Sequence, residues 1–165
     1  MKELPLSYDQ LMEKIAAARR GASDLSTEED LSIAVMNLIS IEEHLFFTAG
    51  KTGDEHYLDL GSEVREMRKS LLQKMISRHE GETWCIAKHL LAATMRLMEV
   101  ATKLRADGKK VEAGEAGAYA HRLYALFWGL RLKLINLGDI KKEADDQKPW
   151  TLQDIARKLV DCCDE

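Results

Sequence analysis

The two prolines of this 165-residue chain, Pro5 and Pro149, stand near its ends, so the long stretch between them contains none. Proline removes a backbone hydrogen-bond donor and clashes with the preceding turn, which breaks a helix interior. Apolar residues recur in this stretch every three or four positions, whereas the period-two alternation of a strand is missing. The sequence therefore predicts an all-α protein.

Capping signals and glycines divide the chain into six predicted helices. Ser7 with Gln10, and Ser26 with Glu29, form capping boxes in which each side chain satisfies a backbone amide at a helix start. Glycine-containing turns end most of the helices. The predicted helices span residues 8–20, 27–49, 54–78, 82–106, 110–137 and 151–160, with a polar connector at 138–150 and a frayed tail at 161–165.

The length of the chain and its short connections predict a single domain over residues 1–165. A chain of this size buries about two-thirds of the surface that its unfolded form exposes. Short connections between long helices make neighbouring helices antiparallel. We therefore expect an up-and-down bundle of four long antiparallel helices, with two shorter flanking helices at the first and last positions.

Charge is distributed unevenly along the chain. Residues 1–60 carry 5 Lys and Arg against 12 Asp and Glu, whereas residues 61–110 carry 11 against 6, within a net charge of −4. Opposite charges on successive helices are typical of helices that attract each other in the fold. The acidic total makes nucleic acid an unlikely partner, because phosphate binding requires clustered positive charge.

The composition also gives an expectation about the membrane and the compartment. The longest uncharged apolar stretch, around Tyr124 to Leu130, is far shorter than the roughly 20 residues that cross a bilayer. The first residues lack the basic and apolar regions of a leader peptide. Three cysteines do not make a disulfide framework. We expect a cytoplasmic protein with reduced thiols and no membrane partner.

The predicted helices 82–106 and 110–137 carry apolar residues around most of their circumference. On helix 110–137 the solvent stripe is narrow and consists of Arg122, Gly129, Lys133 and Asn136, with Arg131 beside it. A helix of this kind either lies at the centre of its own bundle or faces a second subunit. Both interpretations remain open from the sequence, the first being favoured.

The aromatic cluster of helix 110–137 has two interpretations as well. Its members point in several directions, which favours a core over a flat docking or stacking platform. They are Tyr119, His121, Tyr124, Phe127 and Trp128. If a protein partner binds here, the candidate contact residues are Tyr124 and Trp128, together with Arg96 of the preceding helix.

One polar stripe of helix 82–106 contains chemistry-bearing side chains. Cys85 and His89 lie one turn apart, and Arg96 and Glu99 continue the stripe. A thiol and an imidazole at this spacing can share a metal ion or act as nucleophile and base. The stripe is also the natural solvent side of the helix, with Arg96 and Glu99 as an ordinary ion pair.

Helix 27–49 contributes a second group of candidates. Glu42 lies at the edge of the apolar stripe, where a carboxylate can bind a metal, act as an acid or base, or satisfy a buried arginine or histidine. His44 lies on a mildly polar face. Convergence of the candidate ligands would give a site for a transition metal such as iron or zinc. The candidates are Glu42, His44, Cys85, His89 and Glu99.

The familiar metal-binding spacings are nevertheless missing. Glu-x-x-His, His-x-x-x-His and Cys-x-x-Cys do not occur in the sequence. The first expectation is therefore a non-catalytic protein without a cofactor, which acts through binding a protein partner or through self-association. The alternative is a metal- or small-ligand-binding helical bundle with an atypical site between helices 27–49 and 82–106.

Overall fold

The computed structural model describes residues 25–77 and 82–135, together with the short pieces 9–10, 12–13 and 16–17. Four helices occur over residues 25–77 and 82–135, the short pieces are helical as well, and the described residues contain no strand. The helices are α1 Leu25–Thr52, α2 His56–Gln73, α3 Glu82–Ala106 and α4 Lys110–Arg131. The all-α prediction is confirmed. The helix predicted at 151–160, the connector, the tail and most of the helix predicted at 8–20 lie outside the described residues.

The helix boundaries differ from the predicted ones in three of the four helices: α1 extends over 25–52 against the predicted 27–49, and α2 and α4 end early. Helix α3 has the predicted limits, and α1 ends just before Gly53, which adopts a φ of +70° that other residues reach only with strain. Helix α2 ends at Gln73, before the predicted residue 78. Helix α4 ends at Arg131 and not at 137, because the carbonyl of Gly129 accepts the amides of Leu134 and Ile135 at 2.8 and 3.1 Å.

Helices α1 and α2 form an antiparallel hairpin. Glu42 of α1 binds Arg65 and Arg68 of α2, and a β-carbon at Gly61 would lie 3.9 Å from that of Leu45. Residues nearer the end of α1 contact residues nearer the start of α2, as expected for antiparallel helices. The turn between the two helices consists of residues 53–55.

Helices α3 and α4 pack along each other and are joined by the turn 107–109. Two contacts join α4 to α1 in antiparallel register: Glu28 with Arg131, and Ser32 with Tyr124. Helix α1 therefore runs in the direction of α3, and the turns 53–55 and 107–109 lie at the same end of the molecule.

The large buried side chains lie in the other half, away from these two turns. Val35, Leu72, Trp84, Leu91 and Phe127 are all excluded from solvent and belong to one apolar cluster. In the half with the turns, the buried residues of α4 are the alanines Ala113, Ala116 and Ala120. The core is therefore well filled at one end of the molecule and thin at the other.

Helix α1 has the length and composition of a helix that can cross a membrane. An 18-residue window within its 28 residues has a mean hydropathy of 1.2, and 17% of that window is buried. A single helix of this kind is weak evidence, since core helices and signal sequences share its length and composition. Two ion pairs, of Glu42 and Glu28, hold it against α2 and α4.

Candidate functional site

Glu42 occupies the seam between α1 and α2, where it binds two arginines. Its Oε1 accepts a hydrogen bond from Nε of Arg68 at 2.5 Å, and its Oε2 accepts one from Nε of Arg65 at 3.1 Å. Arg68 is only 2% exposed. Of the roles considered for this carboxylate, the structure shows the one in which it satisfies a buried arginine. Two guanidinium groups also oppose the binding of a cation by the same carboxylate.

The other candidate metal ligands lie in different surroundings. Cys85 is buried in the apolar cluster, whereas His44 and His89 are exposed. Glu99 is half-exposed and accepts a hydrogen bond from Arg96 Nη1 at 2.6 Å. Across residues 25–77 and 82–135, no three His, Cys, Asp or Glu side chains are grouped closely enough to hold a metal ion. The five candidates are therefore not brought together as a ligand group.

The burial of Cys85 also contradicts the interpretation of the polar stripe of α3, which begins at Cys85, as the solvent side of that helix. The stripe is buried at Cys85 and exposed at His89 and Arg96. Near its start, α3 is covered by the apolar cluster on this side, whereas farther along the same side is open to water. The position of a residue around a helix does not by itself determine its burial.

Arg96 links α3 to α1. Its Nη2 binds the carboxylate of Glu43, while its Nη1 binds Glu99 on the same helix. All three side chains are partly exposed, so water screens these ion pairs and each contributes little to stability. The contact of Glu43 with Arg96 nonetheless shows how α1 and α3 are aligned, because the two residues lie at similar distances from the ends of their helices.

The candidate partner residues Tyr124 and Trp128 are half-buried against the core. Tyr124, Phe127 and Trp128 form an aromatic group with ring centroids 5.6 to 6.1 Å apart. The hydroxyl of Tyr124 lies 2.7 Å from Oγ of Ser32 on α1. Tyr119 of the same predicted cluster is exposed. The cluster is thus divided between the interior and the surface.

Gly129 was predicted on the solvent stripe of this helix and Arg131 beside it. In the structure Gly129 is buried and Arg131 is only partly exposed. Gly129 is buried under Ile135, whose Cδ1 would lie 2.5 Å from a β-carbon at this position. Arg131 Nη2 donates to Oε1 of the buried Glu28 at 2.5 Å. The cover over Gly129 arises because α4 ends early and the chain folds back over its last turn, whereas Arg131 is drawn to the carboxylate of Glu28 on α1.

Apolar side chains are exposed on faces that are buried elsewhere along the same helices. Phe46 follows the buried Val35 by three turns of α1 and is 64% exposed. Met98 follows the buried Leu91 by two turns of α3 and is 52% exposed. The core-facing sides of both helices therefore reach open solvent in the half of the molecule that contains the turns.

Four large apolar side chains towards the turns are exposed, and we call them the open-end surface: Phe46, Phe47, Leu58 and Met98. The rings of Phe46 and Phe47 meet edge to face with centroids 5.6 Å apart. Phe47 is 55% exposed, and Leu58, two heptads before the buried Leu72 of α2, is 46% exposed. This surface is not predicted by the sequence, because apolar residues at helical spacing indicate burial. The sequence would have indicated it only if the apolar positions of the helices had been counted and found to outnumber those that the neighbouring helices can cover.

These exposed apolar residues lie towards the turns 53–55 and 107–109, whereas the large buried side chains lie farther from them along the same helices. The rim of the open-end surface carries the Arg96 and Glu43 pair, and the charged turns lie beyond it. Comparison of the chain with protein-family models, with curated proteins and with solved structures finds no match.

Proposed function

We propose that this protein is a non-catalytic helical domain that acts by binding another protein or its own copy through the open-end surface. The supporting observation is the exposure of Phe46 and Met98 on faces that form the core elsewhere. Covering a large apolar side chain contributes about 1.5–3 kcal/mol. A partner that covers several of them gains enough to bind specifically.

The proposal includes an up-and-down arrangement of four helices that is closed at one end and open at the other. The antiparallel contacts of α1 with α2 and α4 support this arrangement. The alanines of α4 let α3 and α4 approach closely near the turn 107–109, so they leave little bulk to reach across to α1. The small side chains therefore favour an open end.

The proposed surface differs in part from the one that the sequence suggested. Tyr124 and Trp128 pack against the core, and Tyr124 also contacts Ser32 of α1, so they are poor candidates for direct partner contacts. Arg96 stays in the proposal as a rim residue, since it is half-exposed beside the open-end surface. An arginine at the rim of an apolar patch is a common contact in protein interfaces.

A protein partner fits the charges better than a membrane does. The first third of the chain is acidic, and the open-end surface includes residues of that third, such as Phe46 and Leu58. Anionic lipid repels such a segment, whereas membrane-surface helices carry basic residues beside their apolar face. We therefore propose a cytoplasmic protein whose apolar face serves protein contacts.

Site-specific photo-crosslinking tests this proposal. Phe46 is replaced by p-benzoylphenylalanine, and the matched control carries the same group at Ile33, which is exposed elsewhere on α1. We expect irradiation of cells making the protein to give a discrete crosslinked product from position 46 and none from position 33. Adding Met98→Asp on the facing helix should remove that product.

Two results would contradict the proposal. One is the absence of any discrete product from position 46 while the protein is folded, as judged by its circular dichroism. The other is the same set of products from positions 46 and 33, since that would reflect collision and not a binding surface.

A further inference from the structure

The two turns at the open end carry opposite charges. The acidic tip, around the turn 53–55, has three acidic groups and one basic group: Lys51, Asp54, Glu55 and Asp59. The basic tip, around the turn 107–109, has four basic groups and two acidic ones: Lys103, Arg105, Asp107, Lys109, Lys110 and Glu112. All of these side chains are exposed.

Within residues 25–77 and 82–135, the charges of the tips are not compensated by ion pairs. The ion pairs of the described residues lie elsewhere, the nearest being that of Glu43 with Arg96. None of the tip residues has a further interaction with another charged group of the described chain. Asp54 serves a local role, since its Oδ1 accepts the amide of His56 at 2.9 Å. The tips are therefore available to charges outside the molecule.

The tips and the open-end surface belong to one end of the molecule. Glu43 precedes the turn 53–55 by about as many residues as Arg96 precedes the turn 107–109, and the two side chains are in contact. Phe46 and Met98 lie between this contact and the turns. The order along the molecule is thus core, ion pair, apolar surface and charged tips.

We propose that the open-end surface is covered by a second copy of this chain, with the acidic tip of each copy against the basic tip of the other. The inference rests on the proposed protein-binding function and names the partner. A two-fold axis brings the same patch of both copies together, so each contact occurs twice. Phe46 and Phe47 then pack against Met98 and Leu58 of the partner copy.

Charge complementarity is what selects a second copy as the occupant. The end of the molecule presents an apolar centre between one negative and one positive tip, and its two-fold image presents the matching pattern. A uniformly acidic or basic partner matches one tip and is repelled by the other. Anionic lipid is likewise repelled by the acidic tip. The self-complementary arrangement satisfies both tips and the apolar centre.

Paired charge reversals test the inference on the full chain. One variant carries Glu55→Lys and Asp59→Lys, and the other carries Lys109→Glu and Lys110→Glu. Sedimentation equilibrium at low salt should show a wild-type dimer and a dimerisation constant weakened at least about tenfold in each variant. An equimolar mixture of the two variants should form a heterodimer of near wild-type affinity, since both tip contacts are then restored.

The salt dependence and an apolar variant complete the test. Raising the salt to about 1 M shortens the screening length to roughly 3 Å, so the wild-type dimer should weaken. Phe46→Asp should weaken dimerisation further and also prevent heterodimer formation. The double variant Lys74→Glu with Arg122→Glu reverses two exposed charges away from the tips, so it serves as the control with the same charge change as Lys109→Glu with Lys110→Glu and should leave the dimer intact. Circular dichroism establishes that every variant is folded.

The outcomes distinguish this inference from the proposed function. A wild-type monomer at about 100 µM overturns the second copy, while a crosslink from position 46 to a different protein still supports protein binding. A dimer that is indifferent to the tip reversals or to Phe46→Asp also overturns the inference. Binding of monomers to phosphatidylserine vesicles, without dimer formation and without a protein crosslink, would overturn both.

Discussion

Oε1 of Glu42 on α1 lies 2.5 Å from Nε of Arg68 on α2, and this hydrogen-bonded ion pair joins the two helices beside the core. The guanidinium is almost fully excluded from water. A charge in such a place is tolerated only with a partner of opposite charge. The pair therefore fixes which side of α2 faces α1.

Removal of one partner should destabilise the fold strongly. Glu42→Gln leaves the guanidinium of Arg68 buried beside a neutral amide, and we expect a loss of about 3–5 kcal/mol in the free energy of unfolding. Urea denaturation followed by circular dichroism measures it. The double variant Glu42→Leu with Arg68→Met should recover most of the loss, and Glu66→Gln on the exposed side of α2 should cost less than about 1 kcal/mol. A small effect of Glu42→Gln would contradict the structural role of the pair.

The hydrogen bond of Tyr124 with Ser32 has a defined direction. Oγ of Ser32 donates to the carbonyl of Glu29 at 2.7 Å, so the Tyr124 hydroxyl is the donor to Ser32. Tyr124→Phe should therefore lower the free energy of unfolding by about 0.5–1.5 kcal/mol. The exposed Tyr119→Phe should leave stability unchanged. In a double-mutant cycle with Ser32→Ala, additive losses would show that the two groups do not interact.

Gly129 and Gly114 of α4 should respond oppositely to the same substitution. Gly129→Ala places a methyl group against Ile135, and we expect a loss of about 1–3 kcal/mol. Gly114→Ala meets no atom within 4 Å and should stabilise the helix by about 0.5–1 kcal/mol. Thermal unfolding of both variants measures the two signs. Shortening the neighbour with Ile135→Ala should relieve the clash, and equal stabilisation by both substitutions would refute the packing at Gly129.

Phe46 and Leu91 test the difference between the two ends of the molecule. Leu91→Ala should cost about 2–5 kcal/mol, because it opens a cavity in the filled part of the core. Phe46→Ser should change the stability of the monomer by less than about 1 kcal/mol, because its ring is largely in water. Denaturation at a concentration too low for association measures both. A loss of several kcal/mol for Phe46→Ser would mean that this end is packed.

The metal alternative yields a separate prediction. Because the candidate ligands Cys85 and His89 are divided between the core and the solvent, zinc or iron should leave the melting temperature Tm of untagged protein unchanged. Calorimetry with added metal measures Tm. A rise in Tm that disappears in His89→Ala would instead indicate a site that involves this stripe.

The sequence by itself predicted the four helices of residues 25–77 and 82–135, although it gave both ends correctly only for α3. The period of the apolar residues, the position of the prolines and the glycine at 53 act within a few residues of the chain, so they are readable without knowledge of the fold. The limits of α3 illustrate this, since prediction and structure coincide at 82 and 106. The interpretation of Glu42 as the partner of a buried arginine was also available, although its partner Arg68 was not named.

The tertiary structure decided which apolar faces are covered. Val35 and Phe46 lie on the same side of α1, as do Leu91 and Met98 on α3, yet the first of each pair is buried and the second is exposed. Periodicity determines the direction of a side chain about its own helix axis, whereas burial depends on how far away the neighbouring helix lies at that level. The spacing between hairpins arises from contacts distant in sequence, which is why Cys85, Gly129 and the open-end surface could not be placed correctly before the helices were packed.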